Sequence, residues 1–201
     1  MKLTDIACGV LMMAAFQICQ ASDADELLAR TRALKALAAD FHEVIEDEDG
    51  LELESYDGKL KIKVAGKSFR LDTDGDEGSS VVCDGHDLYS FDRAVSQVSV
   101  FSFDKVVQNS PFWLVIDPSP EVLAKFKISK AGAGSFNIKS EDQNVLYNVS
   151  FDKDGLSSIR YVDQNRQSVT YTLKNRDFGY APKDTDFVFT IPEGVTVDDQ
   201  R

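Results

Sequence analysis

The residues best suited to chemistry are Asp72, Asp74 and Asp76, whose alternate spacing in Asp72-Thr73-Asp74-Gly75-Asp76 is that of a calcium loop. A loop of that kind counted from Asp72 needs Gly at the sixth place and Glu at the twelfth, and this chain has Glu77 and Cys83 there. The run reads equally as the acidic tip of a hairpin. His42 and His86 are the two histidines, and neither sits in the spacing of a zinc site or a hydrolase triad. Ser79, Ser80 and Cys83 lack a nucleophile motif, and a lone Cys in a strand is ordinarily a small core hydrophobe. Asp and Glu number 34, so carboxylate pairs are frequent and none stands out as acid and base. The expectation is no enzyme, no metal and no other cofactor.

What carries these residues is an exported chain. Lys2, the apolar stretch Ile6 to Ile18, and Cys19-Gln20-Ala21 before Ser22 read as a signal peptide over 1–21, cleaved to leave a single domain over 22–201. The apolar run falls short of the roughly 20 residues that span a bilayer, so no stable membrane insertion is expected. Cys8 and Cys19 invite a lipidated start, but Cys8 has no apolar core before it and Cys19 follows Gln17-Ile18 where small residues are needed. A net charge of −12 repels phosphate backbones, which argues against nucleic acid as a partner. Cys83 is the one cysteine left after cleavage, so no internal disulfide is available and packing must hold the fold.

Leu27, Leu34, Leu37 and Phe41 form a helical stripe, and Ser22 with Asp25 has the spacing of a capping box. From about Phe41 the period changes to two. Strands are expected over 41–45, 51–56, 60–64, 68–73, 80–83, 87–91 and 97–103, with Asp57-Gly58 and Asp84-Gly85 as turn pairs. Ser110 to Pro120 interrupts them with an apolar segment read as a short helix or plug. Strands resume over 126–129, 135–138, 145–151, 157–162, 169–173 and 187–191. So much sheet with one strong helix must curl on itself, which gives a mainly β, α+β architecture built as an open or closed antiparallel barrel.

One face of the first-half strands is apolar. Leu60, Ile62 and Val64 alternate with lysines, Phe69 and Leu71 with Arg70 and Asp72, Tyr89 and Phe91 with Leu88 and Ser90, and Val98 and Val100 with Ser99. Parity alone leaves two readings open, a filled core or the lining of a hollow, and the filled core is the commoner fate of such faces.

The ending Phe187 to Arg201, with Phe187-Val188-Phe189-Thr190-Ile191-Pro192-Glu193-Gly194, resembles that of the outer-membrane lipoprotein carrier (LolA) family. Leu37-Ala38-Ala39-Asp40-Phe41, Asp84-Gly85-His86-Asp87-Leu88-Tyr89-Ser90-Phe91 and Ser110-Pro111-Phe112-Trp113-Leu114 resemble further family segments in the same order. The resemblance spans essentially the whole mature chain. It implies an unclosed barrel with a helical lid over an apolar cavity lined by the nine residues Leu60, Ile62, Val64, Phe69, Leu71, Tyr89, Phe91, Val98 and Val100. The lid would carry Phe112, Trp113, Leu114 and Ile116. It further implies a periplasmic carrier that takes the acylated N-termini of lipoproteins from an inner-membrane ABC transporter and yields them to an outer-membrane receptor of similar fold; a monomer is the default expectation, which the resemblance does not supply. One departure stands out. The family carries an Arg-Pro, whose Arg latches the lid, where this chain reads Lys63-Val64-Ala65. The family's following Phe is retained as Phe69, placed at the cavity mouth and in contact with the loading complex. The alternatives are a periplasmic sensor or binding protein of the same fold for another lipid or hydrophobic ligand, a calcium-dependent secreted enzyme, and a chaperone for unlipidated clients.

Overall fold

The computed structural model describes residues 22–106, 113–140, 145–162 and 165–201. The signal segment 1–21, Phe112 and the side chain of Leu114 lie outside the described residues. Helix α1 (Asp23–Ala33) starts at the expected capping box: Asp25 N–H donates to Ser22 Oγ, and Ser22 N–H donates back to Asp25 Oδ2, both at 3.1 Å. Acidic residues in its first turn and arginines in its last suit the helix dipole.

The helix stops earlier than the apolar stripe implies. Leu34 is already extended, and Leu37 and Phe41 belong to strand β1 (Ala36–Glu46). Leu37, Ala39 and Phe41 are buried at a period of two, because β1 is a central strand paired on both sides. The remaining strands are β2 (Glu52–Lys63), β3 (Ser68–Thr73), β4 (Ser79–Cys83), β5 (Asp87–Asp92), β6 (Gln97–Ser102), β7 (Phe126–Gly132), β8 (Ser135–Ser140), β9 (Leu146–Phe151), β10 (Leu156–Val162), β11 (Ser168–Asp177) and β12 (Thr196–Asp199). They form one 12-stranded sheet in the order β12-β6-β5-β4-β3-β2-β1-β11-β10-β9-β8-β7. Every pairing is antiparallel except β12 on β6, and the end strands β7 and β12 do not meet, so the curved sheet is an unclosed barrel.

Asp84-Gly85 makes the β4–β5 hairpin turn, with Asp84 Oδ1 accepting from the His86 and Asp87 amides at 2.8 Å. Asp57-Gly58 makes no turn, and two expected strands fuse into β2 instead. Gly58 faces Phe41 across the ladder, and a Cβ there would stand 2.4 Å from the Phe41 ring and 2.2 Å from the Asp72 carbonyl oxygen. That glycine makes room for a buried aromatic.

Three single-turn helices follow β6: α2 (Phe103–Val106), α3 (Trp113–Ile116) and α4 (Pro120–Leu123). Together with α1 they bury Leu27, Leu34, Phe103, Trp113, Val115, Ile116 and Leu123 against one face of the sheet. The C-terminal segment takes the other face. Residues 187–191, expected as a strand, form the end of a 3-10 turn (Asp184–Phe187) and an irregular strap leading to β12.

Candidate functional site

The helix-covered face continues across the whole sheet. Leu37, Leu60, Ile62, Phe69, Leu71 and Cys83 share it with Phe136, Tyr147, Val149, Phe151 and Ile159 from the second half. Of the expected lining, Leu60, Ile62, Phe69 and Leu71 lie here buried, and Val64 sits half-buried in the 3-10 turn Val64–Gly66 beside α3. Trp113 and Ile116 lie directly over the face, 2% and 1% exposed. Phe69, expected at a mouth, is 2% exposed, so contact with a partner there requires the helices to move.

The other four expected residues do not join them. The turn at Asp84-Gly85 sets Cys83 opposite Leu88, so Leu88 continues the helix-covered face and its neighbour Tyr89 points away. Tyr89 registers with Val100 and Phe91 with Val98, and both rings meet Phe189 of the strap, at 5.4 Å and 6.1 Å between centroids. Alternation within each strand was legible, but which parity of β5 and β6 matched that of β2 and β3 depended on register. The strap is held by ion pairs from the polar side of β2: Lys61 Nζ to Asp186 at 2.8 Å and Lys63 Nζ to Asp184 at 2.6 Å. Lys61 and a hydrogen bond from the Tyr180 hydroxyl hold the Asp186 carboxyl well below the usual carboxylate range.

Lys63 therefore cannot serve as a lid latch, since it is spent on the far face. Lys67, in a left-handed turn position just after the 3-10 turn, reaches the helices instead. Its ammonium lies 2.9 Å from Asp117 Oδ2, one residue beyond α3, and 5.6 Å from the centre of the Phe103 ring. Neither Lys67 nor Asp117 is marked by any sequence motif, and a turn lysine pairing with an acid 50 residues away carries no local signal. The second-half lining did carry one, the alternation Tyr147, Val149, Phe151.

The covered face is packed along most of its length. An apolar cavity of about 210 Å³ opens between the end of α1, α3 and the β9–β10 turn, walled by Leu34, Val115, Phe151, Leu156 and Phe178. Arg30 stands at its rim, 5.7 Å over the Phe151 ring. The opposite end of the trough is polar, with a cavity of about 420 Å³ lined by Glu43, Tyr56, Thr73, Glu77 and Asp92. Burial pushes the Glu43 carboxyl above its ordinary range, against a 2.8 Å hydrogen bond donated by the Tyr171 hydroxyl.

The residues singled out for chemistry are engaged elsewhere. Asp72 accepts from Arg70 at 2.6 Å and from Ser80 Oγ at 2.7 Å, and Arg93 donates to the Thr73 and Gly75 carbonyls around the same acidic tip. His42 Nδ1 lies 3.0 Å from Asp57 at the surface. Cys83 is fully buried and burial raises its thiol to about 11, a state with little nucleophilic thiolate. No helix among the described residues is long and apolar enough to cross a membrane.

An open half-barrel whose apolar face is roofed by small helices is a container-like fold built from one curved sheet. Residues 32–190 match the family model for the outer membrane lipoprotein carrier protein LolA, and the chain belongs to that family. Curated relatives include the outer-membrane lipoprotein carrier proteins of Actinobacillus pleuropneumoniae serotype 3, 28% identical with 100% of this chain and 95% of the relative covered, and of Aeromonas salmonicida, 27% identical with 96% of each covered. A solved structure of a conserved protein from Thermus thermophilus shares the fold at a TM-score of 0.54 and 9% identity, covering 89% of this chain and all of the other.

Proposed function

We propose that this chain is a periplasmic lipoprotein carrier that shelters the acyl chains of its cargo between the curved sheet and the helices over it. The observation that carries the reading is the face itself: an apolar face running across the curved sheet under α1 and three one-turn helices, with the ion pair Lys67 to Asp117 joining the α3 segment to the turn before β3. The proposed lining is Leu60, Ile62, Val64, Phe69 and Leu71 with Phe136, Tyr147, Val149 and Phe151, and the lid is the segment bearing Trp113 and Ile116. An inner-membrane ABC transporter would load it and an outer-membrane receptor would unload it. Its signal segment would be removed before Ser22.

The energetics suit a shuttle. Each buried methylene contributes about 0.8 kcal/mol, so a chain of some 16 carbons fully enclosed would gain of order 12 kcal/mol. Displacing Trp113, Val115 and Ile116 from the same face offsets part of that gain, which keeps release feasible. The lid side chains and the cargo compete for one surface.

The test is release. Spheroplasts lacking their own carrier receive the purified protein, and labelled lipoprotein is assayed in the soluble fraction. Release of the acylated form and not of an unacylated variant establishes the carrier. Absence of release, with folded protein and an active transporter, removes this function in favour of a binding protein for another hydrophobic ligand.

A further inference from the structure

Trp113 carries the one buried side-chain polar atom, among the described residues, that lacks a hydrogen bond: its indole Nε1–H. The side chain is 2% exposed and its ring lies 4.8 Å from that of Phe126, inside the apolar layer between α3 and the sheet. The Tyr147 hydroxyl interacts with the indole from alongside, but no acceptor meets the N–H at the distance and angle of a hydrogen bond. An orphaned buried donor costs roughly 1–3 kcal/mol, the desolvation of a group that finds no partner. A Phe ring at this place would carry no buried N–H and so no such cost, at the expense of some volume.

The position of the donor suggests what would satisfy it. It is borne by the lid helix that must shift when the trough is filled, and Val115 of the same turn walls the 210 Å³ apolar cavity. A hydrocarbon chain entering beside Val115 brings no acceptor along its length. Its head does, because an acyl chain ends in a carbonyl oxygen held by an ester or an amide. We propose that Trp113 Nε1–H donates to the carbonyl at the head of a bound acyl chain, making this residue the polar anchor that fixes how deeply the chain is seated. The inference rests on the carrier reading and adds to it a named atom and a preferred chemistry, acyl carbonyl over plain hydrocarbon.

Trp113 is the sole tryptophan, so a uniformly ¹⁵N-labelled full chain gives one indole resonance. The probes are methyl palmitate, N-methylpalmitamide and hexadecane, with binding of each followed independently by displacement of a fluorescent fatty-acid probe. The expected result is a downfield move of the indole proton with the ester, the amide or both, and none with hexadecane. Which of the two moves it identifies the linkage recognised. The hexadecane arm removes the case in which lid opening merely exposes the N–H to water, since that would shift the signal with all three. Trp113→Phe alters the lid packing for every ligand, so the reading is the difference between ligands: the carbonyl-bearing one should lose about two- to tenfold in affinity relative to hexadecane, the reach of one neutral hydrogen bond. Binding of all three with the indole proton unmoved, or moved alike, overturns the anchor and leaves the carrier intact. Binding of none overturns both.

Discussion

The ammonium of Lys67 lies 2.9 Å from the carboxylate of Asp117, tying the turn before β3 to the segment that follows α3. Both groups keep partial access to solvent, at 48% and 25% exposure, so the pair is worth at most about 1 kcal/mol. A contact of that size can hold a lid closed without locking it. Lys67→Ala and Asp117→Asn should each raise the acrylamide quenching of Trp113 while shifting the urea midpoint little. Their double variant should quench no more than either single one. Unchanged quenching in both single variants would mean that apolar packing alone keeps the helices down.

Phe189 covers Tyr89 and Phe91 on the face away from the helices. Phe189→Ala removes both ring contacts and should cost about 1–3 kcal/mol in urea unfolding, less than a fully buried Phe because the ring is half-buried. The variant should also bind a hydrophobic dye through the uncovered rings, and an unaltered dye response would show that the strap stays seated without its aromatic.

Glu43 is an acid whose folded form holds its proton more tightly than the ordinary glutamate value of 4.5. For a raised carboxyl, stability is greatest below the unfolded pKa and falls as pH rises through the folded one. Glu43→Gln keeps an oxygen to accept from Tyr171 and removes the buried charge. It should be more thermostable than the parent at pH 7, with the difference closing as pH falls toward 4.5. Melting curves across that range decide it, and a gap that widens on acidification would reverse the assignment.

Gly58→Ala places a methyl carbon on the Phe41 ring and the Asp72 carbonyl. Both neighbours belong to the central strands, so relief is limited and the loss should be about 1–3 kcal/mol or more in chemical denaturation. A neutral result would show that Phe41 can swing away from the ladder.

The contrast between Gly58 and Gly85 explains how far the sequence could be read. Both follow Asp and both look like turn signals, yet Gly85 turns a hairpin with φ +97° while Gly58 yields space inside a 12-residue strand. Local chemistry cannot separate these uses, because the second is decided by Phe41 on another strand. The capping box at Ser22, the antiparallel strands and the apolar helix in the plug segment were legible, since each depends on neighbours in sequence. The division of Tyr89, Phe91, Val98 and Val100 from Leu60 and Ile62 was not, since it depends on register across β3, β4 and β5. The tail hid for the same reason: the alternation at 187–191 follows an irregular path over two rings rather than a ladder.

The unclosed sheet has a further consequence, for what a cell must prevent. A strand at a sheet margin offers a row of bare amides and carbonyls on which a second molecule can nucleate aggregation. One margin would be β6, and there the chain lays its own residues 196–199 alongside, with Asp198, Asp199 and Arg201 as charged residues at that edge. The other is β7, where Lys127 is exposed, the Lys130 ammonium pairs with Glu26 of α1 at 2.6 Å and the Lys130 amide donates to Asp23 of the same helix at 2.9 Å. Removing residues 196–199 would exchange a four-residue edge strand for the six-residue β6, lengthening the row of bare groups on which misassembly can start.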